Sequence, residues 1–509
     1  MKAGHTIMMT RRNGVQQKIS VVTLDSLMPE DHYLRDVARL VDFSFIYDLV
    51  APLYSAVGAP SLDPVLVIKM LLLGFMEGID SERKLCEQVR VNIAYRWFLG
   101  LDFDDPTPEH SAFSQLRRRK LKGTKIFEQI FSNIVKQCIE YGLIDGKLLM
   151  TDSTHVRANA ANKEHIRVVV VPETPSDYLN RLNTRAEMEG ILPVPRQKKE
   201  EPLPAIHEAY EEAAVKDESW QADANARLEA GAKLKDVQKK PPDGMKYQLR
   251  SETDPDCGYM SRIGKPQGFH YLSHQTTDAL FGLITDVYVT PGNVNDDSVH
   301  AKRIKAQMKK YGFHPLGVCA DAGYDYSEIH YDMLMRGIRT FIPARNRGNN
   351  EEGKFSAKDF IYDRESGTPT CPGGHQMTSM GYNRRYGARR FVSSAEICAD
   401  CPLREHCFNG KNPYKEVDLQ MDYWAMEEQH AMNNGTPAYW AAMRKRKILC
   451  EGNFAHQKAG HNLTRTRKRG LGNVFEHCLL SATALNVRRM VRIFTDPERR
   501  PVIGMAAAV

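Results

Sequence analysis

Residues 146 to 156 read GKLLMTDSTHV: Leu148, Leu149 and Met150 run through Thr151 into a carboxylate, Asp152. A short apolar run bounded by polar residues reads as a buried strand, with Asp152 at its end. A second stretch repeats the pattern. In PLGVCADAGYD, residues 315 to 325, Val318, Cys319 and Ala320 lead into Asp321. With these strands as neighbours, both carboxylates emerge at one edge of a sheet, where two acids suit a hard cation. A single Asp after an apolar run is more often a turn or capping residue, so the weight lies on the pair.

The elements around these strands follow from periodicity. QGFHYLSHQTTD (267 to 278) alternates Phe269, Tyr271 and Ser273 against His270, Leu272 and His274, and GLITDVYVTPG (282 to 292) follows a tight turn. DDSVHAKRIKAQMKKYG (296 to 312) and YSEIHYDMLMRG (326 to 337) read as helices, RTFIPA (339 to 344) as a strand, and residues 437 to 460 as a further helix. Strand, strand, strand, helix, strand, helix, strand is the order of a ribonuclease H-like α/β fold, a mixed sheet flanked by helices. The third metal ligand then belongs on the last helix. RKRKILCEGNFAHQKAGHNLTRTRKRG (444 to 470) supplies Glu451, with Ile448, Phe454 and Ala455 on apolar positions and Lys447 and Lys458 on nearly its own face. Three carboxylates from separate elements suit two Mg²⁺ or Mn²⁺ ions about 4 Å apart, with lysines as point charges for nearby phosphates. A helical Glu is ordinarily a solvated residue, and Glu451 gains weight only beside the two Asp.

The 509 residues are 42% hydrophobic and 26% charged, which is ordinary for a globular chain. Val65 to Met76 is the longest apolar run, about half a membrane span and interrupted by Lys69, so it reads as a core helix. The N-terminus lacks a signal-like apolar segment, which predicts a cytoplasmic protein. Net charge is +7, compatible with a polyanionic partner. The boundaries expected are an extension at 1–35, a helical DNA-binding domain at 36–140, a catalytic domain at 141–495 and a tail at 496–509. The catalytic domain carries a charged, exposed, partly helical insertion at 163–248 and a Cys-rich one at 347–430.

TDSTHVRANA (151 to 160), DAGYDYSE (321 to 328) and CEGNFAHQKAGHNLTRTRKRGLGNV (450 to 474) resemble the three acidic motifs of bacterial insertion-sequence transposases of the DDE superfamily. The likeness extends over most of residues 35 to 495, outside the charged insertion. It implies a ribonuclease H-like catalytic domain behind an N-terminal helical domain, with Asp152, Asp321 and Glu451 as the catalytic, metal-binding triad. Many relatives carry a Tyr-x2-Arg-x3-Glu-x6-Lys signature; here Lys458 keeps the last position, but Lys447 and Arg444 replace the Arg and Tyr. The resemblance implies an enzyme that binds the terminal inverted repeats of its element, cleaves them and joins them to target DNA, as a dimer or larger assembly. It implies a nucleoid-associated protein when bound, with no membrane role. Two other readings share these residues: a catalytically inactive, sequence-specific DNA-binding protein, and a metal-dependent nuclease without strand transfer.

Basic tracts mark the expected DNA contacts: Arg117, Arg118 and Arg119 after a Pro-rich turn; Arg384, Arg385, Arg389 and Arg390 in YNRRYGARRF; Lys447 and Lys458; and Arg465, Arg467, Lys468 and Arg469 in RTRKRG. Any one such tract is more often a solvated face, and the first equally reads as a helix end meeting its own dipole. Cys371, Cys398, Cys401 and Cys407, with a tight Pro372-Gly373-Gly374 knuckle, fit a structural Zn²⁺ site in which His375 or His406 is an alternative ligand. The opposing reading is four reduced thiols. Cys86, Cys138, Cys257, Cys319, Cys450 and Cys478 are scattered and read as small core residues.

Overall fold

The computed structural model describes residues 21–54, 61–121, 123–161, 165–170, 226, 246–261, 267–294, 300–345, 353–383, 388–407, 413–420 and 422–498. The first part is helical: α1 (Tyr33–Leu40), α2 (Phe45–Val50), α3 (Pro64–Met76), α4 (Glu82–Val91), α5 (Ile93–Leu99), α6 (His110–Leu116) and α7 (Ile126–Glu140). Their starts are written locally. Asp63 accepts from the backbone N–H groups of Val65 and Leu66 with Pro64 in the first turn, and Ser81 and Asn92 cap α4 and α5. Gly100, at φ 74, ends α5 in the left-handed conformation. Helix α3 is buried nearly all round, and the lysine that interrupts it is accommodated. Lys69 Nζ donates to the Phe98 carbonyl at 2.9 Å and lies over the Phe98 ring at 4.7 Å.

The strands follow as β1 (Leu148–Arg157), β2 (His165–Val170), β3 (Lys246–Ser251), β4 (Gly258–Met260), β5 (Gly268–Asp278), β6 (Ile284–Pro291), β7 (Gly317–Cys319) and β8 (Arg339–Phe341). The main six-stranded sheet runs β4-β5-β1-β7-β8, with β6 also on β5. Strands β5 and β6 pair antiparallel, as do β1 and β5, whereas β1–β7 and β7–β8 are parallel. Helices α8 (His300–Tyr311) and α9 (Ser327–Leu334) lie on the chain between β6 and β7 and between β7 and β8. This is the ribonuclease H-like mixed sheet with a helical N-terminal region. β2 and β3 form a separate antiparallel ladder. The exposed, partly helical character expected of 163–248 otherwise falls outside the described residues, apart from residue 226, which is helical and exposed.

One expectation is corrected. Asp152 does not end its strand: β1 continues to Arg157, paired with β5 from Leu149↔Asp278 to Arg157↔His270. What ends nearby is the pairing of β1 with β7, after Met150↔Cys319. The long partner β5 carries β1 onward past the point where β7 turns away.

Residues 353–420 hold two small ladders, β9 (Ile361–Asp363) with β10 (Thr368–Thr370), and β11 (Thr378–Asn383), β12 (Ala388–Val392) and β13 (Glu416–Gln420), around Phe360, Met377, Phe391, Val417 and Leu419. The chain then forms α10 (Tyr423–Asn433), α11 (Pro437–Gly460) and α12 (Leu471–Thr495). Thr436 caps α11, with Pro437 in its first turn. Helix α12 packs against α3, α7 and β6, so the N-terminal helices and the sheet share one core. Its Asn486 side chain donates to the Ile284 carbonyl and accepts from the Ile284 N–H, at 2.7 and 2.8 Å.

Helix α10 closes the outer edge of β8. Gln429 Oε1 accepts from the Thr340 N–H at 3.0 Å, and its Nε2 donates to the Ile338 carbonyl at 2.9 Å. Asn433 steadies that amide and accepts from Arg339 Nε. The Gln429 contacts are buried, so loss of Gln429 leaves two backbone groups without partners. Gln429→Leu is expected to lower the opening free energy at Thr340, read by amide hydrogen exchange, by about 2–4 kcal/mol.

Candidate active site

Successive strand residues alternate between faces, so Met150 and Asp152 share one face of β1, as Cys319 and Asp321 share one face of the β7 chain. Met150 and Cys319 pair across the parallel ladder. Both pack with Phe341 of β8 against Tyr439, Ala442 and Cys450 of α11. Each acid thus lies two residues beyond a paired apolar residue, on the helix-covered side, where neighbouring strands are about 4.8 Å apart. Asp321 is in extended backbone and caps the turn that follows, its Oδ1 accepting from the Gly323 N–H at 2.8 Å. Asp152 Oδ1 accepts from the Ser153 N–H at 2.8 Å.

Helix α11 buries Tyr439, Ala442, Cys450, Asn453 and Gln457, spaced so that one stripe faces the sheet. Cys450 Sγ lies 3.8 Å from the Met150 carbonyl, so the helix crosses β1 two residues before Asp152. Farther along, Asn453 donates to Thr277 and to the Gly282 carbonyl, and Gln457 exchanges hydrogen bonds with Gln275. Four residues before Cys450 the same stripe carries Arg446. Its Nη1 lies 2.8 Å from Asp152 Oδ2, with the two side chains 12% and 15% exposed. Burial opposes the guanidinium charge, yet Asp152 and then Asp321 outweigh it and hold its pKa above the ordinary value.

Glu451 is exposed on the flank of α11, together with Lys447 and Lys458. Among the described residues, the Asp, Glu, His and Cys group with ligating atoms within 4.8 Å of one another is Asp325, His330 and His430. The structure therefore brings Asp152 and Asp321 to one face and puts Glu451 on the helix above, without gathering all three around a single point. Arg446 escaped the sequence reading. Its signal was an arginine whose neighbours four residues either way, Ala442 and Cys450, are core residues.

The basic tracts divide. Arg118, Arg119, Arg465 and Arg469 are exposed, and Arg469 Nε donates to the Asn159 carbonyl at 3.1 Å. Arg117 lies 3.3 Å from Glu82, Lys468 2.9 Å from Glu82 and Arg467 2.8 Å from Asp80, so these three tie the loop after α11 to α4 and α6. Arg390 pairs with Asp418 and Glu416, and Arg389 is half-buried on β12. Arg384 and Arg385 lie outside the described residues.

The four Cys lie in one neighbourhood, but no three of their sulfurs stand within 4.8 Å of one another. A Cβ added at Gly373 would stand 3.4 Å from Cys401 Sγ and 3.7 Å from Cys371 Sγ. Burial raises the Cys407 thiol, Lys415 offsets part of this, and the neighbouring Cys401, Cys371 and Cys398 add to the rise. The Cys371 knuckle is closed by Gly374 N–H to the Cys371 carbonyl and Cys371 N–H to the His375 carbonyl, both 2.8 Å. His406 Nδ1 is instead 2.9 Å from the Gly353 carbonyl. Cys86, Cys138, Cys257, Cys319, Cys450 and Cys478 are all buried.

Two family models match the chain. Residues 22–119 match a transposase domain (DUF772), and residues 370–491 match a transposase DDE domain. The two matches stand in order along the chain and support a DDE-type transposase. No curated protein matches the sequence. A cryo-EM structure of a piggyBac transposase synaptic complex with hairpin DNA matches with 10% identity and a TM-score of 0.33, covering 93% of this chain and 78% of that one. A likeness at that level bears on neither the fold nor the site. No helix of the described residues is long and apolar enough to cross a membrane.

Arg446 neutralises a site of two acids, and its removal leaves Asp152 beside Asp321 without that counter-charge. Arg446→Met is expected to cost about 1–3 kcal/mol of stability in chelator, less than a fully buried pair because both partners keep solvent contact. Added Mn²⁺ should recover most of the loss of Tm. A variant whose Tm ignores Mn²⁺ would show that Asp152 and Asp321 do not share a cation site.

Proposed function

We propose that this transposase binds the terminal inverted repeats of its own element, cleaves there to free 3′-hydroxyls, and joins those ends to target DNA. The observation that carries the reading is the placing of Asp152 and Asp321 on one face at the split between β1 and β7, beneath the helix that bears Glu451. The donor set is all carboxylate and suits Mg²⁺ or Mn²⁺. Such ions, when bound, lower the pKa of an attacking water or hydroxyl and offset charge on the leaving oxygen.

The chain's own residues supply position and charge. Asp152 and Asp321 would hold the cations from below, each with one oxygen already oriented by a backbone N–H. Glu451, on an exposed flank of α11, would complete the set as DNA is drawn against that helix, with Lys447 and Lys458 meeting phosphates from the same flank. Arg446 would release Asp152 as cations enter, its guanidinium remaining close enough to meet a phosphate oxygen. In the first step water attacks the phosphorus and the bond to the 3′-oxygen breaks, that oxygen leaving as a hydroxyl once protonated. In the second, that hydroxyl attacks a target phosphate in line and displaces another 3′-oxygen. Joining two ends calls for two or more chains on the DNA. Arg118, Arg119, Arg384, Arg385, Arg389, Arg465 and Arg469 are the remaining candidates for backbone contacts. The proximity of Cys371, Cys398 and Cys401 to Cys407 supports a structural Zn²⁺ at these four residues, whose sulfurs would draw together around the ion.

Incubation of the chain with its element's end DNA and Mg²⁺ should yield cleaved and joined products. Asp152→Ala, Asp321→Ala and Glu451→Ala should each reduce both by more than about 100-fold, beyond the loss typical of outer-shell partners. Near-normal activity in any one removes that residue from the triad, and cleavage without joined product favours a nuclease. Separately, Cys398→Ser with Cys401→Ser should lose one equivalent of bound zinc by elemental analysis; unchanged zinc dismisses the four-Cys site.

A further inference from the structure

A second group of ligating side chains lies apart from the carboxylates at the strand ends. Asp325 closes the short turn four residues past Asp321, His330 is on α9 and His430 is on α10. His330 Nε2 is 3.0 Å and His430 Nε2 2.9 Å from one oxygen, Asp325 Oδ1. The Asp325 and His330 side chains are 3% and 0% exposed, and His430 is 18% exposed. Nothing in strand pairing or helix capping requires two imidazoles to meet one buried carboxylate.

The surroundings hold these groups as a metal site holds its ligands. His330 Nδ1 is 2.7 Å from Thr340 Oγ1, and Asp325 Oδ2 accepts from the Arg345 N–H at 2.8 Å. Each inner ligand is thus oriented through its other polar atom, the usual support for metal-bound histidine and carboxylate. His430 Nε2 thus approaches the same carboxylate oxygen as His330 Nε2, from a different helix. Tetrahedral bonds of about 2.1 Å place ligand atoms about 3.4 Å apart, so the imidazoles would open from Asp325 Oδ1 by a few tenths of an ångström to admit zinc. Two imidazole nitrogens also disfavour Mg²⁺ and Ca²⁺, which take oxygen, and favour zinc and its neighbours.

We propose that Asp325, His330 and His430 bind a transition-metal ion of the zinc class. The ion fastens α10 to the turn that follows Asp321, and the partly exposed side of His430 leaves a coordination position for water.

The test uses the full chain carrying Cys398→Ser and Cys401→Ser, titrated with Co²⁺. We expect one equivalent with d–d absorption and no sulfur charge-transfer band, lost in His430→Gln and weakened about 10–100-fold by Thr340→Val. If the Cys variants do not fold, the unaltered chain serves: its nitrogen and oxygen class of Co²⁺ should vanish in His430→Gln while any thiolate class stays. In chelator, His430→Gln should melt close to its parent, and only the parent should gain Tm on adding Zn²⁺. Absence of the sulfur-free Co²⁺ species, or its persistence in His430→Gln, overturns the site and leaves a buried hydrogen-bonded cluster.

Discussion

The parallel pairing of β1 with β7 covers three residues and stops at Met150↔Cys319, and the site depends on where it stops. One residue more would carry the ladder into the acids' approach; one fewer would unseat the apolar pair on which α11 rests. Because side chains alternate, a slip of either strand by one position would turn its carboxylate to the face opposite the other's. Met150, Cys319 and Phe341 give α11 its footing, and α11 in turn carries Arg446 to Asp152 and Glu451 to the solvent side.

The same economy appears in the basic residues. Arg467, Lys468 and Arg117 are spent on Asp80 and Glu82, joining the loop after α11 to the N-terminal helices. Phe75 and His477 stack edge to face across that junction, and His461 Nδ1 is 2.9 Å from the Phe75 carbonyl. A run of positive charge is therefore not all available to an outside partner. Part of it holds the chain's own segments in place.

Much of the fold was legible because it is locally encoded. Thr436 and Pro437 fix the start of α11, the alternation of Phe269 to His274 fixes β5, and six Cys among apolar neighbours are buried as their sequence context suggests. The end of β1 was misread because STHVR looks polar and strand-ending, whereas its partner β5 is eleven residues long and pairs along its length. Tertiary pairing overrode local pattern there. Arg446 was passed over within MRKRK because composition cannot tell which of four cations faces the sheet. The Asp325, His330 and His430 group has no sequence signature, since a hundred residues separate its histidines and only the packing of α9 on α10 brings them together.

The amide of Gln429 has a consequence for assembly. An open strand edge invites a second chain to add its own strand. At β8 the two groups such a strand would seek, the Thr340 N–H and the Ile338 carbonyl, are already taken by a helix of the same molecule. A second copy of the chain therefore finds no free backbone pair at these two positions, and any association across this border has to be built from side-chain surfaces.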